Sequence, residues 1–139
     1  MGYWMKQLIK RLSEPNLLLG LSIGYTVLIT VLSLVPTSNL PKVQFEWSDK
    51  VAHLLIYLGL SFIWLLFLQL KFRPLSTTVT IIVVTSCLFY GIIIEALQQL
   101  LAASRQADLY DVIANAVGIL LGLLVFEKLK YLFEVKNNF

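Results

Sequence analysis

The residues of this chain that could do chemistry are few, and they fall in three places. They are Asp49, Lys50 and His53; then Glu95 and Gln98; then Arg105, Asp108, Asp111 and Asn115. His53 is the only histidine, and four of the eight acidic residues belong to the set. A histidine among carboxylates could work as a general acid–base pair or join an oxygen-rich metal site. A guanidinium or ammonium there could instead present charge to a phosphate or carboxylate, which arginine matches in a forked geometry. Motifs that would sharpen the catalytic option are missing. There is no H-E-x-x-H, G-x-S-x-G or P-loop, and the serines beside the cluster are Ser48 and Ser104. The one cysteine, Cys87, lies within an apolar run and reads as a small packing residue.

What must position these residues is a membrane bundle. The chain has 139 residues, 58% hydrophobic and only 14% charged, against about 25% charged in soluble chains. Its mean hydropathy is +0.82. We read residues 1–139 as one integral membrane domain, all-α, with four spans near 17–35, 51–70, 75–100 and 111–126. A soluble helical domain with four such runs would expose too much apolar surface. The first run is too long for the apolar core of a signal peptide, and no small-residue cleavage site follows it. It should end at Val35, since the residue before Pro36 is pushed out of the α region. Residues 1–15 look amphipathic, basic and aromatic, as expected of a segment lying in the headgroup zone.

Charge orients the bundle. Lys6, Lys10, Arg11, Lys71, Arg73, Lys128, Lys130 and Lys136 fall on one side of a four-span layout, and Lys42, Lys50 and Arg105 on the other. Eight against three places both termini in the cytoplasm and the polar set toward the outer leaflet. The net charge of +3 therefore reflects topology. No basic patch with interleaved aromatics exists in a polar domain, so nucleic-acid binding is set aside.

Helical spacing gathers the polar residues into stripes. Asp49, His53 and Tyr57 share one face, as do Gly91, Glu95 and Gln98. Asp108, Asp111, Asn115, Gly118 and Gly122 share another. Gly118 with Gly122, and Gly20 with Gly24, form two G-x-x-x-G patterns suited to close helix contact in lipid. The apolar part of the fourth span, residues 112–126, reaches only about 22 Å, which should sink its acidic end into a solvated pocket. Plainer roles stand beside the functional ones. Asp49 or Ser48, and Asp108 or Asp111, could cap helices; Lys50 could snorkel to the interface. His53 could be a satisfied interfacial histidine, and Asn115 interhelical glue. Glu95 and Arg105 could form an internal ion pair.

Asp49-Lys50-Val51-Ala52-His53 with Tyr57, then Glu95 and Gln98, then Arg105-x-x-Asp108-x-x-Asp111-x-x-x-Asn115-x-x-Gly118-x-x-x-Gly122 resembles the VanZ-like family over roughly residues 17–126. The resemblance implies a bacterial cytoplasmic-membrane protein, Gram-positive by the family's named member, linked to low-level resistance to the glycopeptide teicoplanin. It carries no established reaction.

The expected role is binding or interaction with amphiphilic cell-envelope molecules at the outer leaflet. Partners would be membrane lipids, a lipid-linked cell-wall precursor or a lipoglycopeptide, and a second copy of the chain through a G-x-x-x-G face. The alternative is a membrane enzyme modifying a lipid-linked envelope substrate through the His/Glu/Asp/Arg cluster. The residue types favour binding over catalysis, and we expect no cofactor and no metal. A proton-coupled transporter fits less well, since Glu95 lies toward one face and no span is broken by a Gly/Pro pair. The topology is checked by reporter fusions to the C-terminus. A fluorescent protein that matures only in the cytoplasm should be bright, and a phosphatase active only outside should be silent. The reverse pattern would invert the orientation.

Overall fold

The computed structural model describes residues 2–12, 14–35, 47–101 and 108–134. They form five helices: α1 (Tyr3–Leu12), α2 (Pro15–Leu34), α3 (Ser48–Lys71), α4 (Thr77–Leu101) and α5 (Leu109–Glu134). Helices α2 to α5 provide four candidate membrane spans. At 1.5 Å per residue even α2, with 20 residues, reaches about 30 Å, the thickness of a hydrocarbon core. The chain is thus an all-α, four-helix transmembrane bundle. Broad apolar faces remain exposed, including Leu28 and Val31 on α2 and Ile81 and Phe89 on α4. In a bilayer such faces meet lipid, and every backbone group of a helix is already bonded within it.

Local sequence explains where the helices begin and end. Pro15 sits in the first turn of α2, where its missing N–H costs nothing. Val35 closes α2 in an extended conformation (φ −68°, ψ 131°), as the following proline demands. Ser76 caps α4 by accepting the Val79 N–H at 3.3 Å. The span expected over residues 111–126 lies inside α5, which runs on to Glu134. Glu127, Lys128 and Lys130 break the apolar pattern but are good helix formers, and a Glu127–Lys130 ion pair spans one turn at 2.6 Å.

Helix α3 is central, packing on α5, α2 and α4, and its contact with α5 is the most extensive. Glycines make that contact possible. A Cβ at Gly118 would strike the Leu54 carbonyl, and one at Gly122 would lie 2.5 Å from the Leu58 carbonyl and against Ser61 Oγ. The fully buried Ser61 hydroxyl reaches Leu58 O and Ile119 O, both at 3.2 Å, tying the two helices. Gly118 and Gly122 therefore pack within the chain. Gly20 and Gly24 do not: a Cβ at either would meet nothing within 4 Å.

A second seam joins α2 to α3 and α4. Ser22, Thr26 and Thr30 line one face of α2. Ser22 Oγ bonds Leu18 O of its own helix at 2.8 Å and lies 3.5 Å from Ile63 O of α3, and Trp64 Nε1 donates to Thr26 Oγ1 at 3.2 Å. The hydroxyls of Thr30 and Tyr90 bond each other at 2.9 Å. Interhelical hydrogen bonds of this kind hold bundles in lipid, where apolar burial gives little drive between helices.

The asymmetry between the two glycine pairs is testable. Gly118→Val should destabilise the protein by at least about 1–3 kcal/mol, the usual cost of overpacking. Gly20→Val should stay within about 0.5 kcal/mol. Denaturation in mixed micelles measures both, and equal losses would remove the special status of the α3–α5 seam.

Candidate functional site

One end of the bundle brings together the start of α3, the end of α4 and the start of α5. Close approach of α5 to α3 sets the first turns of these two helices side by side. Lys50, partly buried, reaches across to both acidic residues of α5. Its Nζ donates to Asp108 Oδ2 at 2.5 Å and also to Asp111 Oδ1. The expectation that Lys50 snorkels to the interface is corrected by this pairing. Asp111 is 7% exposed, so its carboxylate depends on Lys50 for compensation.

Asp108 has two roles. Its Oδ1 accepts the Tyr110 N–H at 2.9 Å, an N-cap contact for α5, while Oδ2 holds Lys50. The Lys50 ammonium, then the Tyr110 N–H, holds this carboxyl below its ordinary range. A depressed carboxylate contributes stability above its unfolded-state pKa and loses it as pH falls through the folded value. The contact is therefore complete at neutral pH. Asp49 does not cap α3. Trp47 takes the capping position, with no side-chain cap bond, and Asp49 lies exposed in the first turn.

His53 sits one turn deeper than Asp49, between α4 and α5. Its Nδ1–H donates to Asn115 Oδ1 at 2.9 Å, and Glu95 Oε1 lies 3.6 Å from the same nitrogen. That arrangement turns Nε2 toward Asp49 Oδ1, at 3.9 Å. Glu95 and Asn115 are 5% and 1% exposed. Asp49, His53 and Asp111 each offer a ligand atom, and these atoms lie within 4.8 Å of one another. A divalent cation could be held at that spacing. Lys50, already bonded to Asp111, supplies positive charge at the same place and would compete with it.

Two further residues belong to the site. Tyr57, 2% exposed, lies below His53 on the same face of α3. A Cβ at Gly91 would come to 3.0 Å from the Tyr57 ring and 3.2 Å from Asn115 Nδ2, so the glycine admits both side chains. Among the described residues, Tyr57 Oη and Asn115 Nδ2 have no hydrogen-bond partner. The Asp49-His53-Tyr57 spacing marked Tyr57 in the sequence, and Gly91 shared the Glu95 stripe; neither carries charge to single it out.

Not every expected residue converges. Gln98 points away from the cluster, its Nε2 donating to Ser33 O of α2 at 2.8 Å, so it fastens helices. Arg105 lies outside the described residues. The structure thus joins Asp49, Lys50, His53, Glu95, Asp108, Asp111 and Asn115, and adds Tyr57.

Removing one partner of the Lys50 cage should be costly. Breaking a fully buried pair costs about 3–5 kcal/mol. Lys50 keeps 23% of its side chain exposed, so Lys50→Ala is expected to lose roughly 1–3 kcal/mol after screening. Lys50→Arg should recover most of it, and Asp49→Asn should change little. Thermal unfolding in detergent ranks the three. An unperturbed Lys50→Ala would show that Asp111 does not need the ammonium.

No curated protein and no solved structure matches the chain significantly. The family model for VanZ/LLP1 matches residues 4–132, which takes in all four candidate spans and the whole polar end. The chain belongs to the VanZ/LLP1 family, as a multi-pass membrane protein.

Proposed function

We propose that the polar end lies in the outer leaflet of a bacterial cytoplasmic membrane, with both termini inside, in a Gram-positive cell. There it binds or interacts with amphiphilic cell-envelope molecules and lowers the action of lipoglycopeptides such as teicoplanin. One observation carries this reading. Tyr57 Oη and Asn115 Nδ2 are buried, adjacent and without a partner among the described residues. Leaving such a group unsatisfied costs about 1–3 kcal/mol, and native structures rarely retain one without a use. Both can donate, so they suit a polar head rich in oxygen. The charges around them support the same reading. Lys50 pairs with Asp108 and Asp111 at the end of the bundle, and His53 lies beside the buried Glu95 one turn deeper. Ionisable groups placed so far along a span are expensive unless function or pairing retains them.

The alternative, an enzyme acting on a lipid-linked envelope substrate, draws on the Asp49, His53 and Asp111 ligand set. Elemental analysis of protein purified without chelator tests it. A tightly held divalent ion lost in His53→Ala would favour a metal-assisted reaction.

Teicoplanin susceptibility of a Gram-positive host expressing the chain tests the first reading. Wild type should protect, and Glu95→Gln and Arg105→Ala at matched membrane abundance should lose most of that protection. Equal susceptibility with and without the wild-type chain would remove the resistance role. Protection unchanged in both variants would take the polar end out of it.

A further inference from the structure

Halfway down the bundle a cavity of about 320 Å³ opens between α2, α3 and α4. Leu60, Trp64, Val83 and Cys87 form its wall, and the exposed Ile82 and Ser86 stand on its rim. Its volume falls in the range of ligand pockets, about 300–1,000 Å³. Its depth fixes the surroundings. From Asp49 to Leu60 along α3 the descent is about 16 Å at 1.5 Å per residue. The cavity therefore faces hydrocarbon, far from either headgroup layer.

The polar atoms on the wall are already engaged. Trp64 Nε1 donates to Thr26 Oγ1, and the Tyr90 hydroxyl meets Thr30 Oγ1 and Thr26 O, the latter at 3.2 Å. A bound water needs two to four polar partners, and little remains here to supply them. The occupant that fits is a hydrocarbon chain. The cavity's open side lies along α4, where the rim residues Ile82 and Ser86 are exposed, and faces α2.

The cavity also abuts the polar end. Tyr90, on its upper wall, has its ring 6.1 Å from that of Tyr57, whose hydroxyl is one of the buried groups without a partner. We propose that this cavity is a tail site, receiving one acyl chain sideways between α2 and α4 while the polar head of the same molecule meets the Tyr57–Asn115 end. The proposal rests on the amphiphile-binding reading above and extends it from the head to the tail.

Trp64 supplies the reporter. With Trp4→Phe and Trp47→Phe it is the only tryptophan left. The protein is reconstituted in phosphatidylcholine vesicles containing a rising fraction of phosphatidylcholine brominated midway along one acyl chain. Quenching of Trp64 should saturate as a single site, and Cys87→Phe should reduce it several-fold. Cys87→Leu gives a milder filling, with circular dichroism confirming the fold of both. Teicoplanin, which is acylated, should relieve the quenching, while its deacylated core should not. Glu95→Gln should weaken that relief. Relief unchanged by Glu95→Gln would mean that the head reading fails while the tail site stands. Quenching that rises linearly with bromolipid, or is equal in the filled variants, would mean surrounding lipid only and would overturn the tail site. Saturable quenching that teicoplanin does not move would overturn its link to the amphiphile.

Discussion

The close approach of α5 to α3 is the contact on which the rest of this bundle depends. Two glycines one turn apart bring the α5 backbone onto Leu54 and Leu58, with Ser61 bonding across the gap. Dispersion between closely packed helices and the Ser61 hydroxyl hold the middle of the pair, and the Lys50 and His53 bonds hold its polar end, since lipid offers no hydrophobic reason for helices to associate. Everything polar at one end follows from this register. Asp111 and Asn115 continue the glycine stripe toward the start of α5, so the packing that seats Gly118 also delivers a carboxylate to Lys50 and an amide to His53.

The polar end is then a balance between pairing and incomplete satisfaction. Lys50 neutralises two carboxylates of α5, and His53 links the amide of α5 to the carboxylate of α4. Such pairing makes charges tolerable at this depth, because an isolated one would carry the full desolvation cost. One turn deeper the compensation stops. Tyr57 and Asn115 keep a donor each without a partner among the described residues, in a place shaped by the absence of a side chain at Gly91. Remaining hydrogen-bonding capacity of this kind is what recognition of a polar head requires. The apolar cavity beyond Tyr90 gives the same molecule somewhere to put its tail.

Much of this was legible in sequence. Four apolar runs gave the spans, Val35-Pro36 gave the end of α2, and the i, i+4 spacing put the glycines and acids of α5 on one stripe. The failures have physical causes. Lys50 finds partners 58 and 61 residues away, which no local pattern encodes. Gln98 shares the Glu95 face by periodicity, but a long flexible amide can bend to α2 instead. α5 extends beyond the expected span because hydropathy falls at Glu127 while helix propensity does not. The hydroxyl seam was readable in Ser22, Thr26 and Thr30, spaced one turn apart, yet hydroxyls on an apolar span carry no signal for their partners.

The central claim is that the buried donors at the polar end serve a ligand and not the fold. Tyr57→Phe tests it most directly, read by two quantities on one reconstituted protein: unfolding stability and affinity for teicoplanin. The account predicts stability equal to or above wild type, since a hydroxyl without a partner is removed, together with clearly weaker binding. Lower stability with unchanged binding would contradict it, and would make Tyr57 a structural residue of the bundle.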